Sequence, residues 1–170
     1  KNCDVRGAWD KANMERQRAK IVKAINNLGA DVVSLEEIEN SAKAASSVPA
    51  SFKGERRDYA LATLVDALNE QAGEGTWAYV PSPQTVPDLD VEDVIRTAFI
   101  YKPTKVATVG ATRILTDSDA FNGKNGYEHG RQPDAQAFKA KGAADSDAFL
   151  VVANHFKSKG SASNALNQDP

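Results

Sequence analysis

The stretch Ala30-Asp31-Val32-Val33-Ser34-Leu35-Glu36-Glu37-Ile38-Glu39-Asn40 decides the fold, because it turns from apolar to acidic partway along. Residues 32–35 form an apolar, β-branched run, which predicts a short buried strand. The glutamates follow at once, and we expect the strand to end where they begin. Since a sheet delivers side chains into a cleft at a strand end, Glu37 is a candidate for chemistry. The alternative is that Glu36, Glu37 and Glu39 form a solvated acidic loop.

Helices are predicted on both sides of this strand, over residues 14–28 and 57–71. Gly29 and Gly73 stand where the two helices would end. The intervening residues 41–57 are rich in Ala, Ser and Lys and predict a long loop. The residues expected to face the core are Ile21, Val22, Ile25 and Leu28 in the first helix, and Leu61, Leu64, Val65 and Leu68 in the second.

Strands separated by polar loops are predicted over the rest of the chain. The loops fall at residues 81–93, which are rich in proline and acidic residues, and at residues 116–130. Helices early and strands later indicate an α+β protein with mixed layers around a sheet. The predicted strands cover residues 77–80, 94–101, 106–109, 135–138 and 148–155, of which the last is the clearest buried strand.

Composition limits the classes of function. A chain of 170 residues fits one domain, and a formal net charge of −2 gives no overall basic field. That charge argues against tight non-specific binding of nucleic acid but not against catalysis. No apolar run reaches the ~18 residues of a membrane span. The chain has one cysteine, Cys3, and two histidines far apart in sequence, which excludes a Cys/His zinc site.

His155 ends the last predicted strand. A neutral imidazole at a cleft rim can take or give a proton near pH 7, and the alternative is a hydrogen-bonded structural histidine. Lys157-Ser158-Lys159-Gly160 follows directly and offers cations to a phosphate, although such segments are usually solvated turns. We therefore expect Glu37 and His155 to meet at one opening, where a phosphate can contact both.

Two further charged residues are candidates. Arg131 precedes Gln132-Pro133, and a guanidinium can grip a phosphodiester in a bidentate way. The alternative is a plain surface arginine. Asp93 stands at the entrance of the 94–101 strand, where a carboxylate can orient a histidine and fix its tautomer.

Four segments carry a family pattern when they are taken together. The first is Cys3-Asp4-Val5-Arg6-Gly7-Ala8, with Glu15-Arg16-Gln17 and Lys20-Ile21-Val22; the second is the stretch 30–40; the third is Asp93-Val94-Ile95 with Ile100-Tyr101-Lys102-Pro103; the fourth is Arg131-Gln132-Pro133 with Gln136 and Phe138, then Val152-Ala153-Asn154-His155-Phe156-Lys157-Ser158-Lys159-Gly160. Together they resemble the secreted bacterial branch of the endonuclease/exonuclease/phosphatase superfamily, which has the fold of pancreatic deoxyribonuclease.

The resemblance implies a four-layer α/β sandwich, of which only part is present, and a secreted, metal-dependent nuclease. Glu37 matches the family's metal-binding glutamate, and the implied metal is Mg²⁺, with Mn²⁺ or Ca²⁺ as alternatives. His155 matches the histidine that acts as general acid or base on the scissile phosphate, with Asn154 beside it to hydrogen-bond the phosphate. Arg131 matches a phosphate-contacting arginine, and Lys157 would stabilise the negative charge on the phosphate oxygens. Asp93 falls near an acidic residue that supports a histidine in some members.

Several features depart from the family pattern. Glu36 stands where Gln or Met is more usual, and Asp134 stands where an apolar residue usually follows Arg-x-Pro. The family's first strand with its metal-site asparagine, its Asp-x-Asn motif and its Ser-Asp-His motif are absent from the 170 residues. We therefore expect an amino-terminal portion of one such domain, residues 1–170, with Asn164 matching the asparagine of Asp-x-Asn and the partner of Cys3 lying elsewhere.

The function implied is hydrolysis of extracellular nucleic acid, most readily DNA, with little sequence specificity. With half of the site present, turnover is expected to be slow or absent, because catalytic residues acting as a unit are strongly non-additive. Two alternatives stay open. One is a phosphoesterase of the same fold that acts on phospholipid or inositol phosphate. The other is a non-catalytic surface binding module.

Overall fold

A computed structural model describes residues 10–43, 48–90, 92–116 and 131–156. Within these ranges the chain is a mixed α+β protein with two helices and two small antiparallel sheets. The helices are α1 (Lys11–Asn26) and α2 (Tyr59–Ala72), with 3₁₀ turns at Arg56–Asp58 and Asp145–Asp147; the strands are β1 (Val32–Glu39), β2 (Ala78–Tyr79), β3 (Ile95–Tyr101), β4 (Val106–Ile114), β5 (Asp134–Ala140) and β6 (Phe149–Ala153).

The first sheet has the order β1-β3-β2, with both pairings antiparallel. Val32 is paired with Tyr101 at one end and Glu39 with Ile95 at the other. Leu35 is paired with Ala98 and Ile38 with Arg96, so the register shifts between them. Glu36 and Glu37 therefore both lie opposite one residue, Thr97. This is a β-bulge, an irregularity that re-aims side chains and is over-represented next to active sites.

The second sheet has the order β4-β5-β6, again antiparallel. Asp134 at the start of β5 is paired with Ile114 on one side and with Ala153 on the other. β4 also has a register shift, between Val109 and Arg113. Because of these pairings, the start of β5 lies beside the ends of both β4 and β6.

β3 is buried on both faces and separates two cores. Ala98 and Ile100 pack with the buried side of the helices, whereas Phe99 packs against Phe138 of the second sheet. The rings of Phe99 and Phe138 meet edge to face, with their centroids 5.9 Å apart. The observed order of layers is therefore helices, first sheet, second sheet.

α1 packs through a narrower surface than the sequence indicates. Asp10 caps the helix by accepting a hydrogen bond from the Asn13 backbone N–H at 2.7 Å. Val22 and Ile25 are buried, but Ile21 is 48% and Leu28 60% exposed, so the prediction that they face the core is wrong. The helix packs mainly on α2, so only one narrow side of it is covered. Leu28 lies beyond the last residue of the helix, Asn26.

α2 agrees with its predicted stripe. Leu61, Val65 and Leu68 are buried, and Leu64 packs partly buried against the same core. The backbone N–H of Gly73, the C-cap residue, donates to Asn69 O, and the φ of this glycine is +104°, a backbone conformation that other residues rarely adopt. The helix ends where the glycine predicts.

Two predictions about strands are wrong. β1 does not end at Leu35 but continues through the glutamates to Glu39, because β3 supplies hydrogen-bond partners along this length. β6 is not a fully buried strand, since Leu150 is 66% and Phe149 48% exposed. Within the described residues β6 is an edge strand of its sheet, and no other described segment covers the side chain of Leu150.

None of the helices within the described ranges is both long enough and apolar enough to cross a membrane.

Candidate functional site

Four strand termini meet at one end of the two sheets. The antiparallel pairing places the end of β1 beside the start of β3, and the end of β6 beside the start of β5. A small cavity joins the two sheets here, and we call it the charged cavity. The volume that the centre of a water molecule can occupy is about 10 Å³, so the cavity has room for about one water. Its lining is Asn40, Arg57, Glu92, Asp93, Ile95, Arg96, Ile114, Arg131, Gln132 and Asp134.

Glu37 occupies the bulge at this end of β1. Its φ is +59°, and it is the one non-glycine residue with positive φ in the described part of the chain. For an L-residue other than Gly, Asn or Asp this conformation is uncommon and costs about 1–2 kcal/mol. Strained residues of this kind cluster at functional sites, where the surrounding structure holds them in place. The strain therefore supports a role for the glutamate that a solvated loop does not need.

Glu37 and His155 lie next to each other. The distance from His155 Nε2 to Glu37 Oε1 is 3.7 Å, which is too long for a hydrogen bond. The histidine side chain is 12% exposed, whereas the glutamate side chain is 70% exposed. The other ring nitrogen, His155 Nδ1, is buried and has no hydrogen-bond partner among the described residues. The fold thus brings a carboxylate and an imidazole next to each other, and their shared opening onto a phosphate stays a prediction.

Arg131 and Asp93 form a second pair at this end. Arg131 Nη2 lies 2.8 Å from Asp93 Oδ2, and both residues line the charged cavity. The second carboxylate oxygen of Asp93 accepts the backbone N–H of Val94 at 2.6 Å. Within the part of the chain that the structure describes, Arg131 Nε is buried without a hydrogen-bond partner. The contacts of Asp93 are with the arginine and with the backbone, so its role in orienting a histidine stays a prediction without a supporting contact.

The remaining two predicted residues are less well defined. Asn154 is exposed and turns its amide toward Val152 O at 3.5 Å, at the limit of hydrogen bonding. A phosphate can displace so weak a contact at little cost. Lys157 lies outside the described residues, as do Cys3 and Asn164.

A buried layer of charge lies behind these residues, and sequence reasoning missed it. Arg57 Nη2 lies 2.5 Å from Glu92 Oε1, and Arg96 Nη2 lies 2.6 Å from Asp58 Oδ1. Asn40 adds a hydrogen bond from its amide to Glu92 Oε2 at 3.0 Å. Buried ion pairs need such extra hydrogen bonds to offset the loss of hydration.

This layer also holds the backbone of the site in place. Arg96 donates to the carbonyl oxygen of Arg57 at 3.2 Å, which ties β3 to the turn before α2. Asp58 accepts the backbone N–H of Ser82 at 2.8 Å, which ties the same turn to the loop before β3. The signal in the sequence was Arg96, a charge within an otherwise apolar predicted strand, since such a charge must find a buried partner.

Asp134 is the least well compensated charge of the site. It is buried, and burial raises the pKa of its carboxyl group from 3.8 to about 6, although Arg96 and Arg57 act in the opposite direction. Burial also lowers the pKa of Arg96, with Arg57 adding repulsion. The two arginines therefore offset only part of the cost of burying this carboxylate.

The residues can be tested for their fit to a divalent cation. Among the described residues there is no group of three or more His, Cys, Asp and Glu side chains that could hold a metal ion. Beside His155, Glu37 offers an exposed hard oxygen donor. Mg²⁺ commonly takes only one or two carboxylates and fills its other positions with water and substrate phosphate. The donor set therefore fits a weakly held Mg²⁺ that a bound phosphate completes, and does not fit a metal held by protein ligands alone.

Searches of protein-family models and of curated protein sequences returned no match to this chain.

Proposed function

We propose that this protein is a metal-dependent phosphodiesterase that hydrolyses nucleic acid. The observation that carries the proposal is the 3.7 Å approach of His155 to Glu37, since these side chains come from different sheets. A carboxylate suited to Mg²⁺ and an imidazole suited to proton transfer are the pair that phosphodiester hydrolysis needs. The strained backbone at Glu37 and the arginine at the same end add support.

In this mechanism water attacks phosphorus, the bond to the leaving sugar oxygen breaks, and that oxygen takes up a proton. His155 moves protons through Nε2, the ring nitrogen nearest Glu37. Glu37 would hold Mg²⁺, which when bound neutralises negative charge on the phosphate and the leaving oxygen.

Arg131 would donate to a non-bridging phosphate oxygen in exchange for its contact with Asp93. That exchange costs little, because Asp93 is 41% exposed and exposed ion pairs contribute about 0–1 kcal/mol. Asn154 would hydrogen-bond the same phosphate, and Lys157 would add a positive charge nearby.

The fold and location follow the same proposal. The two sheets would be the inner layers of a four-layer α/β sandwich of the deoxyribonuclease type, and the exposed outer face at Leu150 would lie under the fourth layer. The substrate would be extracellular DNA and the protein secreted. An inositol phosphate or a phospholipid head group fits the same pair of residues, so substrate choice needs a direct comparison.

The test is plasmid cleavage in Mg²⁺ or Mn²⁺ by the wild type, Glu37→Gln and His155→Ala. General acid–base catalysis contributes about 10²–10⁴-fold, so His155→Ala should fall to at most about a hundredth of the wild-type rate. Glu37→Gln should lose cleavage because it removes the carboxylate that would hold the metal. Glu36→Gln is the matched control, because it removes a neighbouring carboxylate from the same bulge and should keep the rate. Sphingomyelin vesicles and an inositol phosphate are assayed in parallel.

Binding of the metal is followed separately from turnover. Mn²⁺ should broaden the backbone amide NMR signals around Glu37 in the wild type and much less in Glu37→Gln. Equal broadening in both, or wild-type cleavage by both site variants, would remove the basis for the proposal. Faster hydrolysis of a phospholipid or inositol phosphate than of DNA would reassign the substrate. DNA binding that neither metal nor Glu37 affects, without turnover, would indicate a binding module.

A further inference from the structure

A second, larger opening lies beside the charged cavity, and we call it the side groove. Residues 83–87, from the loop before β3, form one wall, and residues 111–114 with Thr116, from the end of β4, form the other. Its volume is about 470 Å³. Pockets that hold small ligands measure about 300–1,000 Å³, so the side groove has room for a group the size of a nucleoside.

The side groove is continuous with the position of Arg131. Ile114 lines both the side groove and the charged cavity. The backbone N–H of Leu115 donates to Pro133 O at 2.9 Å, and Ile114 is paired with Asp134. The end of β4 is therefore fixed against the segment 131–133, and a ligand whose phosphate meets Arg131 has the side groove as its neighbour.

The lining has the chemistry of a site for a planar, polar-edged ring. Pro83 and Pro87 are half-buried, and Val86 is 37% exposed, which gives flat apolar contact surfaces. Gln84 and Thr85 are exposed and offer an amide and a hydroxyl group. A nucleobase has apolar faces and hydrogen-bonding edges, and both parts find partners in this lining.

Charge distribution points to the same ligand. The side groove has no carboxylate in its described lining, although Asp88 and Asp90 follow it directly in the same loop. An uncharged nucleobase can therefore enter the groove without meeting a carboxylate in this lining. An inositol phosphate would need several cations, and a lipid chain would need an apolar lining, whereas Arg113 is the one charged residue and threonine and glutamine are prominent.

We propose that the side groove binds the nucleobase of the nucleotide whose phosphate contacts Arg131. The inference rests on the proposed function, because it takes a nucleic-acid phosphate at Arg131 as given. A base in this groove has left its stack, so a single strand or a frayed end should bind there more tightly than the interior of an intact duplex, which must first unstack the base. Contact with an apolar wall and one amide predicts weak preference among the four bases.

The test is an amide NMR titration of the protein with thymidine 5′-monophosphate and, separately, with deoxyribose 5-phosphate. Both ligands carry the phosphate, but only the nucleotide carries a base. We expect both to shift signals near Arg131, and only the nucleotide to shift those of Gln84, Thr85 and Val86. Binding is measured without turnover, so the result does not depend on the catalytic rate.

A substitution tests the same site by affinity. Thr85→Glu places a carboxylate in the exposed wall and should weaken binding of the nucleotide about tenfold, a loss of about 1.4 kcal/mol. Thr104→Glu, in the exposed turn between β3 and β4 at the other end of the sheets, is the matched control and should leave affinity unchanged. Deoxyribose 5-phosphate should lose less affinity than the nucleotide in Thr85→Glu.

The outcomes separate the two proposals. Shifts near Arg131 with both ligands, and none in the side groove, would overturn the base site and leave the proposed phosphate contact standing. Equal groove shifts with both ligands would show that the groove binds sugar phosphate and not a base. An absence of shifts at both places would overturn the phosphate contact and the base site together.

Discussion

Replacement of Glu37 by glycine should separate stability from function at the strand end. The φ of +59° at Glu37 costs an L-residue about 1–2 kcal/mol, and glycine adopts it without that cost. Glycine also adds freedom to the unfolded chain, which lowers the free energy of unfolding by about 0.5–1 kcal/mol. The net expectation for Glu37→Gly is a gain between about 0 and 1.5 kcal/mol, while metal binding and cleavage are lost.

Glu36→Gly is the matched control for this prediction. Glu36 lies in the same bulge but has no positive φ, so glycine relieves no strain there. It should lower the free energy of unfolding by about 0.5–1 kcal/mol. The free energies of unfolding of the two variants should therefore differ by about 1–2 kcal/mol, with Glu37→Gly at or above the wild type and Glu36→Gly below it.

Thermal and urea unfolding followed by circular dichroism measure this difference. One kcal/mol corresponds to about 2–4 °C in Tm for a domain of this size, so the variants should lie several degrees apart. Equal destabilisation by both glycines would refute the argument that the backbone at Glu37 is strained. Full retention of cleavage by Glu37→Gly would refute the role of its carboxylate.

Two predictions concern the buried charges. The folded-state pKa of Asp134 is about 6, which lies above the ordinary 3.8, so the protonated carboxyl group favours the folded protein. This stabilisation is fully present below pH 3.8 and is lost as pH rises through 6. Asp134→Asn should therefore raise the free energy of unfolding at pH 8 by up to about 3 kcal/mol, with little change at pH 3.5; an equal effect at both pH values in urea titrations would contradict this. Arg96→Met should cost about 3–5 kcal/mol because it leaves Asp58 buried without its charge partner, and Arg96→Met with Asp58→Asn should recover part of that loss. A double variant as unstable as Arg96→Met alone would show that the charge on Asp58 is not the cause.

Local periodicity was sufficient to predict the elements that are buried on the face marked by their apolar residues. The α2 stripe and the apolar centres of β3 and β5 follow from spacing and β-branching, because these segments are covered on the faces that their patterns predict. Ile21 and Leu28 are apolar at helical spacing too, but only one side of α1 meets α2. Spacing indicates which residues share a face and cannot indicate how much of that face another element covers.

β1 and β6 fail the prediction for related reasons. Glu36–Glu39 is polar in sequence, yet it stays in the sheet because β3 provides hydrogen-bond partners opposite it. Residues 149–152 are apolar in sequence, yet they are exposed because β6 is the last strand of its sheet within the described ranges. In both cases the position of a strand within its sheet overrides composition, and that position is a long-range property.

The candidate site was predictable in part. Glu37 and His155 could be named from their positions after predicted strands, and the structure places them next to each other. Arg57, Asp58 and Glu92 were missed, because charged residues in sequence are ordinarily exposed and their burial here depends on pairing between distant segments.

Unsatisfied polar groups gather at the same end of the molecule as the strain. In the part of the chain that the structure describes, the buried side-chain atoms without a hydrogen-bond partner are Arg57 Nε, Thr97 Oγ1, Arg131 Nε and His155 Nδ1. Thr97 lies opposite the bulge of Glu37, and both arginines line the charged cavity. Each such atom costs about 1–3 kcal/mol, which a core selected only for stability would avoid. Local rules are broken together where a protein gives up stability for function, so this clustering argues for a polar ligand at the strand ends independently of any family pattern.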